Sequence, residues 1–304
     1  MSLLKSPNEL SSDVKLSMLI YGQPGLGKTT LALSAPSPVL IDADKGIKRV
    51  EKRFQVPSLP LDDYWSFREL LKSPELAPFQ TIVVDTMGKL VDRMGDWLMK
   101  RNDKLRQSDG SLTMKGYGAL KTEFQSLLRE MQSLNKHIIF VAHEREDKDG
   151  DTRIIRPDVS GSSGKDLVKD LDLMGYMEMK GKRRTISFNP CEKFYAKNSL
   201  KLPDIIDVPD TKDGNAFIED IIIGKTLEKM KSDQAQNDSY DKLLSGLYKT
   251  IDAAKDASGA NDALTVIDNS EPIWDSQRQA KKRLAEKVKS LGLVYDKDKK
   301  EFVK

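Results

Sequence analysis

The chain has 304 residues, with 50 Lys and Arg against 47 Asp and Glu; its formal net charge of +3 singles out no partner. At 38% hydrophobic and 32% charged, with a mean hydropathy of −0.52, it has a globular composition and the length for one large α/β domain plus a small appendage, which excludes collagen-like, mucin-like and wholly disordered classes. The longest apolar runs, such as His137 to Ala142 and Ile221 to Ile223, fall far short of the roughly 18 residues of a membrane span, so no membrane partner is expected.

The N-terminus shows no basic segment followed by an apolar one, which predicts a cytoplasmic location. One cysteine, Cys191, permits no internal disulfide, and two histidines, His137 and His143, form no zinc cluster.

In chain order, Lys15 to Tyr21 is a β-prone run that ends in a glycine-rich turn, and Thr29 onward reads as a helix stopped by Pro36. Val39 to Ile41 is a second apolar run ending in Asp42-Ala43-Asp44, and Thr81 to Val84 a third ending in Asp85. Met87, Leu90, Val91, Met94, Trp97 and Leu98 then recur at helical spacing, as do Tyr117, Leu120, Phe124, Leu127, Leu128, Met131 and Leu134. His137 to Ala142 is a fourth strand, ending in His143-Glu144. Strands alternating with helices predict parallel βαβ crossovers, and the polar residues at the strand ends mark the carboxyl edge of the sheet as the ligand edge.

Further on, Leu173 to Met179 and Arg184 to Phe188 flank Lys180-Gly181-Lys182 and read as a hairpin, with Phe194 to Ala196 as one more strand. Residues 231–239 lack an apolar period and read as a linker between a core over 1–230 and a helical C-terminal segment over 240–304, with helices at Tyr240 to Ile251 and Asp275 to Leu291.

Gly22-Gln23-Pro24-Gly25-Leu26-Gly27-Lys28-Thr29 fits G-x-x-x-x-G-K-[ST] without a mismatch, between a strand and a helix as the pattern requires, and Thr30 follows it. Such a loop lets backbone N–H groups converge on phosphates while Lys28 reaches the β and γ phosphates and the Thr29 hydroxyl faces Mg²⁺. Asp85, ending its apolar strand, reads as the Walker B carboxylate that holds the magnesium through water. No N-K-x-D guanine reader exists, since Asn135-Lys136 is followed by His137-Ile138, so the expected cofactors are ATP and Mg²⁺. Thr86 follows Asp85 where many such ATPases carry a glutamate, so the water-activating acid must come from another strand; Asp44 and Glu144 are the candidates. Val159 to Gly164 reads as a Ser/Gly-rich loop.

The segments IYGQPGLGKTT, VLIDADKG, TIVVDT, FVAHE and YAKNSLKLPDII, spread from Leu16 to about Pro209, resemble the phage nucleotide-binding proteins of RecA-like type, the Sak group of single-strand annealing recombinases. That resemblance implies a RecA-like α/β P-loop core with a mainly parallel sheet. It implies a general base at Asp44, where the family carries a longer glutamate. It also implies a γ-phosphate sensor at His143 and, at Lys197, a late-strand cation that reaches a neighbour's nucleotide site, hence a ring or filament of copies of this chain.

Two long loops on the ligand edge are the expected DNA contacts. Lys100 to Gly118 carries Lys104, Arg106, Lys115 and the aromatic Tyr117; Arg145 to Lys165 carries Arg153 and Arg156 among mixed charges. Cations for phosphate and a ring for stacking suit single strands. The C-terminal helix, with Arg278, Lys281, Lys282, Arg283, Lys287 and Lys289 against Glu286, suits DNA or a partner protein. The expected function is therefore a DNA-stimulated ATPase that binds single-stranded DNA and promotes annealing and recombination, with a single-strand-binding protein as a further partner. A motor or loader for a helicase or packaging machine is the alternative, and a nucleotide-switched scaffold without turnover is the third.

Overall fold

A computed structural model of the chain describes residues 15–149, 152–159, 169–210 and 215–304. The described chain forms two compact units, one ending at Leu227 and the other running from Glu228 to Lys304.

The first unit is built on one sheet. Its strands are β1 (Ser17–Gly22), β2 (Pro38–Asp42), β3 (Ser58–Pro60), β4 (Thr81–Asp85), β5 (His137–Asp149), β6 (Thr152–Pro157), β7 (Leu173–Lys180), β8 (Arg183–Ser187), β9 (Lys197–Asn198) and β10 (Ile205–Val208). Their order is β10-β8-β7-β1-β5-β4-β2-β3, with β6 on β5 and β9 on β7. All pairings among β1, β2, β3, β4, β5 and β7 are parallel, and β6, β8, β9 and β10 add antiparallel edges. The expected mainly parallel α/β core is thus what the chain adopts. β3 is invisible in the sequence, because three residues, one of them proline, carry no period.

Helices α1 (Lys28–Ala32), α2 (Tyr64–Leu70) and α3 (Met87–Arg101) each follow a strand of this sheet, and α4 (Met114–Ser133) follows α3 and leads into β5. The central strands read as continuous apolar runs because both faces are covered. Leu19, Ile82, Val84, Ile138 and Phe140 pack on one side with Phe67, Leu90, Met94, Phe124 and Leu127 of α2, α3 and α4. The alternate residues Met18, Ile20, Val83 and Ile139 pack on the other with Leu31 and with Ile218 and Ile222. This second layer comes from α1 and from the π-helix Ile218–Gly224.

Both supposed long loops prove more ordered than their polarity suggests. Thr113 caps α4 by accepting from the Gly116 amide, so Lys115 and Tyr117 belong to a first helical turn, and Lys104 lies on a 3-10 turn, Asp103–Leu105. The all-polar stretch after Ala142 continues β5 to Asp149 and pairs with β6 as an antiparallel ribbon. No apolar alternation announces that ribbon; pairing alone makes it a strand. Phe194 forms a bridge to Ile155, and the short strand falls just after it, at Lys197–Asn198. The Ser/Gly-rich segment lies, beyond Val159, outside the described residues.

Residues 231–239, read as a linker, are instead interior to α5 (Lys225–Ala253). They contain neither Gly nor Pro, so nothing interrupts the backbone hydrogen bonds even though no apolar stripe marks them. In the second unit α5 is followed by α6 (Ala257–Asn269), α7 (Ser276–Ser290) and a hairpin of β11 (Val294–Asp296) and β12 (Glu301–Val303). Its core joins Leu247 and Ile251 to Ala260, Ala263 and Ile267 and to Ala280, Leu284 and Val288. α6 escapes the sequence reading because its buried stripe is largely alanine.

Candidate nucleotide site

The parallel register brings the predicted residues to one edge: Gly22 pairs with His143, and Asp85 pairs with both Val141 and Asp42. Gly22 ends β1 at φ 153°, and a Cβ there would lie 2.2 Å from the Met177 carbonyl oxygen, so the strand can approach β7 only through glycine. Gly25 and Gly27 follow with φ of 83° and 79°. These left-handed residues turn the chain into α1 and hold the loop open as a concave backbone surface.

Lys28 is buried, and its Nζ donates to the carbonyls of Gly22 at 2.9 Å and Gln23 at 2.6 Å. Burial pulls this ammonium below the ordinary lysine value, while Asp85 and Glu144 push it back up. Thr29 Oγ1 donates to Asp85 Oδ2 at 2.5 Å. Burial raises the Asp85 carboxyl above the usual carboxylate range; the Thr29 hydrogen bond opposes this, and Asp44 and Asp42 reinforce it. A buried carboxylate and a hydroxyl that converge are hard oxygen donors suited to Mg²⁺, which keeps several waters and phosphate oxygens as its remaining ligands. Among the described residues no group of three or more His, Cys, Asp or Glu is placed to hold a metal by protein ligands alone.

Asp42 and Asp44 divide their work. The Asp42 carboxylate accepts from the Gly46 amide at 2.7 Å and the Ile47 amide at 3.1 Å, closing the turn after β2. The amides of Ala43 and Asp44 both donate to the Asp85 carbonyl, at 2.7 and 3.1 Å, which ties the backbone of Asp44 to that of Asp85. The Asp44 carboxylate is held by Arg49 at 2.5 Å.

A cavity of about 380 Å³ is lined by Pro24, Gly25, Gly27, Lys28, Thr29, Thr30, Asp44, Gly46, Arg49, Val50, Asp85, Thr86, Val141 and His143. Sequence reasoning misses Arg49, Thr86 and Val141; Arg49 sits on a 3-10 turn that no motif announces, and Val141 becomes a wall only through the strand order. The Leu26 side chain packs into the core instead. A second cavity of about 400 Å³ shares Gly27 and is lined by apolar groups, among them Leu31, Val208 and Phe217, and by the polar Arg184, Asp210, Asn215 and Asp220.

Glu144 points to the other face of β5, towards Tyr176; burial, then this carboxylate, raises the tyrosine pKa. It does not line the 380 Å³ cavity, whereas Asp44 does. Its Oε2 and His143 Nδ1 are buried without a hydrogen-bond partner. Lys197 lies away from the loop: it pairs with Met174 near the start of β7, and its Nζ donates to the Lys169 carbonyl at 3.0 Å.

Lys104, Arg106, Lys115 and Tyr117 are exposed, but Tyr117 borders a groove that also contains Asp92 and Asp96. On the ribbon, Arg145 stands directly opposite Arg156, and Asp147 bridges them at 3.3 and 3.2 Å. Arg153 pairs with Glu146 at 3.1 Å, and the Arg156 guanidinium lies 4.6 Å over the Tyr195 ring.

A phosphate loop at the carboxyl edge of a mainly parallel sheet, with Lys28, Thr29 and Asp85 converging beside it, defines a nucleotide-binding P-loop ATPase fold. A family model described as an AAA domain matches residues 14–200, and the chain belongs to that family. No curated protein matches it in sequence. Similar solved structures include a KaiC-like protein from the hyperthermophilic archaeon Pyrococcus horikoshii OT3, at 10% identity and a TM-score of 0.36 over 64% of this chain and 89% of that one. Another is the flagellar accessory protein FlaH from Methanocaldococcus jannaschii, at 12% identity and a TM-score of 0.36 over 63% and 84%. No helix among the described residues is long and apolar enough to cross a membrane.

Proposed function

We propose that the protein hydrolyses ATP at this site and that the nucleotide state governs its grip on single-stranded DNA, as in the phage Sak group of annealing recombinases. One observation carries the reading: β5 is a single unbroken strand from His143, a wall of the cavity, to the facing arginines of the ribbon. Like charges directly opposite one another are unfavourable. One shared carboxylate offsets only part of that cost, so a phosphate group completes the pair.

In this reading Lys28 binds the β and γ phosphates, Thr29 and Asp85 hold Mg²⁺, and the base enters the second cavity, which shares Gly27. Bound Mg²⁺ neutralises charge that develops on the phosphates. Asp44, kept in place by Arg49, accepts the proton of the attacking water, and Glu144 is the alternative acid. His143 senses the γ-phosphate and moves the ribbon with it, while Lys104, Arg106, Lys115 and Tyr117 extend the DNA track. Lys197 acts in a neighbouring copy. The ion pair that occupies Arg153 favours a second reading, a motor or loader whose ribbon meets a protein.

The deciding measurement is ATP turnover with and without single-stranded oligonucleotide, for the wild type, Tyr117→Ala and the double variant Arg145→Ala/Arg156→Ala. Stimulation that both variants weaken supports the DNA reading; turnover indifferent to DNA transfers it to the motor reading.

A further inference from the structure

The second unit carries a basic surface that the ATPase reading leaves unused. Its charge is segregated along the chain: residues 276–304 hold ten Lys and Arg against four Asp and Glu, whereas residues 228–275 hold five against ten. The basic part is α7 with the hairpin that follows it. Three helices and then a hairpin are the element order of a helix–turn–helix module in which α6 and α7 form the pair and α7 occupies the position of the reading helix. Residues 270–275 join the two, and Asn261 of α6 fixes the hairpin by exchanging two hydrogen bonds with the Phe302 backbone, at 3.0 and 2.7 Å.

The sides of α7 have distinct uses. Ser276, Ala280, Leu284 and Val288 are buried, one per turn, against α5 and α6. Three flanking cations are occupied within the unit: Lys281 pairs with Asp268 at 2.7 Å, Arg283 with Asp252 at 2.6 Å, and Lys287 donates to the Asp252 carbonyl at 3.1 Å. Arg278, Lys282 and Lys289 are exposed and make none of these pairs, and together with Ala285 they follow i, i+4, i+7, i+11 spacing. That spacing puts all four on one line of the helix, opposite the buried stripe. The central alanine keeps the line low enough for a close approach. Beyond it, the hairpin turn presents Lys297, Lys299 and Lys300, all exposed.

We infer that this unit is a second nucleic-acid site, one that binds duplex DNA, with the Arg278, Lys282 and Lys289 face of α7 entering the major groove and the hairpin lysines contacting backbone phosphates. A groove about 12 Å wide admits a helix whose outward face is cationic and not bulky at its centre. An acidic polypeptide is the other ligand this charge would attract, and the test separates the two.

The full-length protein is titrated into a fluorescein-labelled duplex of about 20 base pairs, two helical turns, across a salt series and without ATP. Competition with polyglutamate is run in parallel; far-UV circular dichroism serves as the control for folding of the helical unit, and ATP turnover as the control for the first unit. The expected result is salt-sensitive duplex binding that the triple variant Arg278→Ala/Lys282→Ala/Lys289→Ala weakens at least about tenfold, with the slope of log affinity against log salt flattened by about 0.9 for each phosphate that the variant no longer neutralises. ATP turnover should be unchanged, and Glu286→Gln should strengthen binding by removing the one acid on α7. Wild-type protein that ignores duplex, a triple variant that binds as well as the wild type, or polyglutamate that displaces duplex at equal charge concentration would each overturn the proposal.

Discussion

Thr29 and Asp85 meet at 2.5 Å, although their strands are not neighbours in the sheet: β5 lies between β1 and β4. The hydroxyl at the start of α1 and the carboxylate at the end of β4 therefore reach across β5 at Val141 and His143, which form part of the same cavity wall. A phosphate bound in the loop would face Val141 and His143, on the strand that continues into the ribbon.

Lys28→Ala removes the charge that the loop directs at the phosphates. ATP turnover should fall at least about tenfold, equivalent to about 1.4 kcal/mol, as read by a coupled phosphate-release assay. The fold should survive, because the Nζ hydrogen bonds are to the loop's own carbonyls.

The two candidate bases separate by substitution. Asp44 faces the cavity and Glu144 the opposite side of β5, so Asp44→Asn should retain nucleotide binding and lose at least about a hundredfold in turnover, the scale of general-base catalysis. Glu144→Gln should leave most of it. Nucleotide affinity and single-turnover rate measured on both variants decide the matter, and the reverse pattern would transfer the role to Glu144.

Asp85 links the site to stability through pH. Its folded-state pKa is raised, chiefly by burial, so the folded chain holds that proton more tightly than the unfolded chain does. Ionised Asp85 therefore costs stability, in full above the folded-state value, and the cost fades as pH falls through that value towards the unfolded one. Asp85→Asn should accordingly be more resistant to urea than the wild type at neutral pH, with the gap closing near about pH 4. The same variant should lose Mg²⁺-dependent turnover.

Gly22→Ala tests the backbone instead of the chemistry. A Cβ placed 2.2 Å from the Met177 carbonyl must push β1 and β7 apart. A loss of at least about 2 kcal/mol is expected in urea denaturation, with ATP affinity reduced in parallel because the loop begins at that residue.

The phosphate loop, Asp85 and the alternation of strands and helices are legible in the amino-acid sequence because each is local: a glycine pattern sets a backbone shape, and an apolar run that ends in a carboxylate marks a strand tip. Asp44 and His143 are reachable in the same way. Arg49, Val141 and the face that Glu144 takes are not, since they depend on which strands lie side by side and on whether a residue is odd or even along β5. The ribbon and the helix through residues 231–239 elude the sequence for a related reason. Polar segments carry no hydrophobic period, and only pairing to β6, or an unbroken run of residues compatible with helical hydrogen bonding, turns them into regular structure.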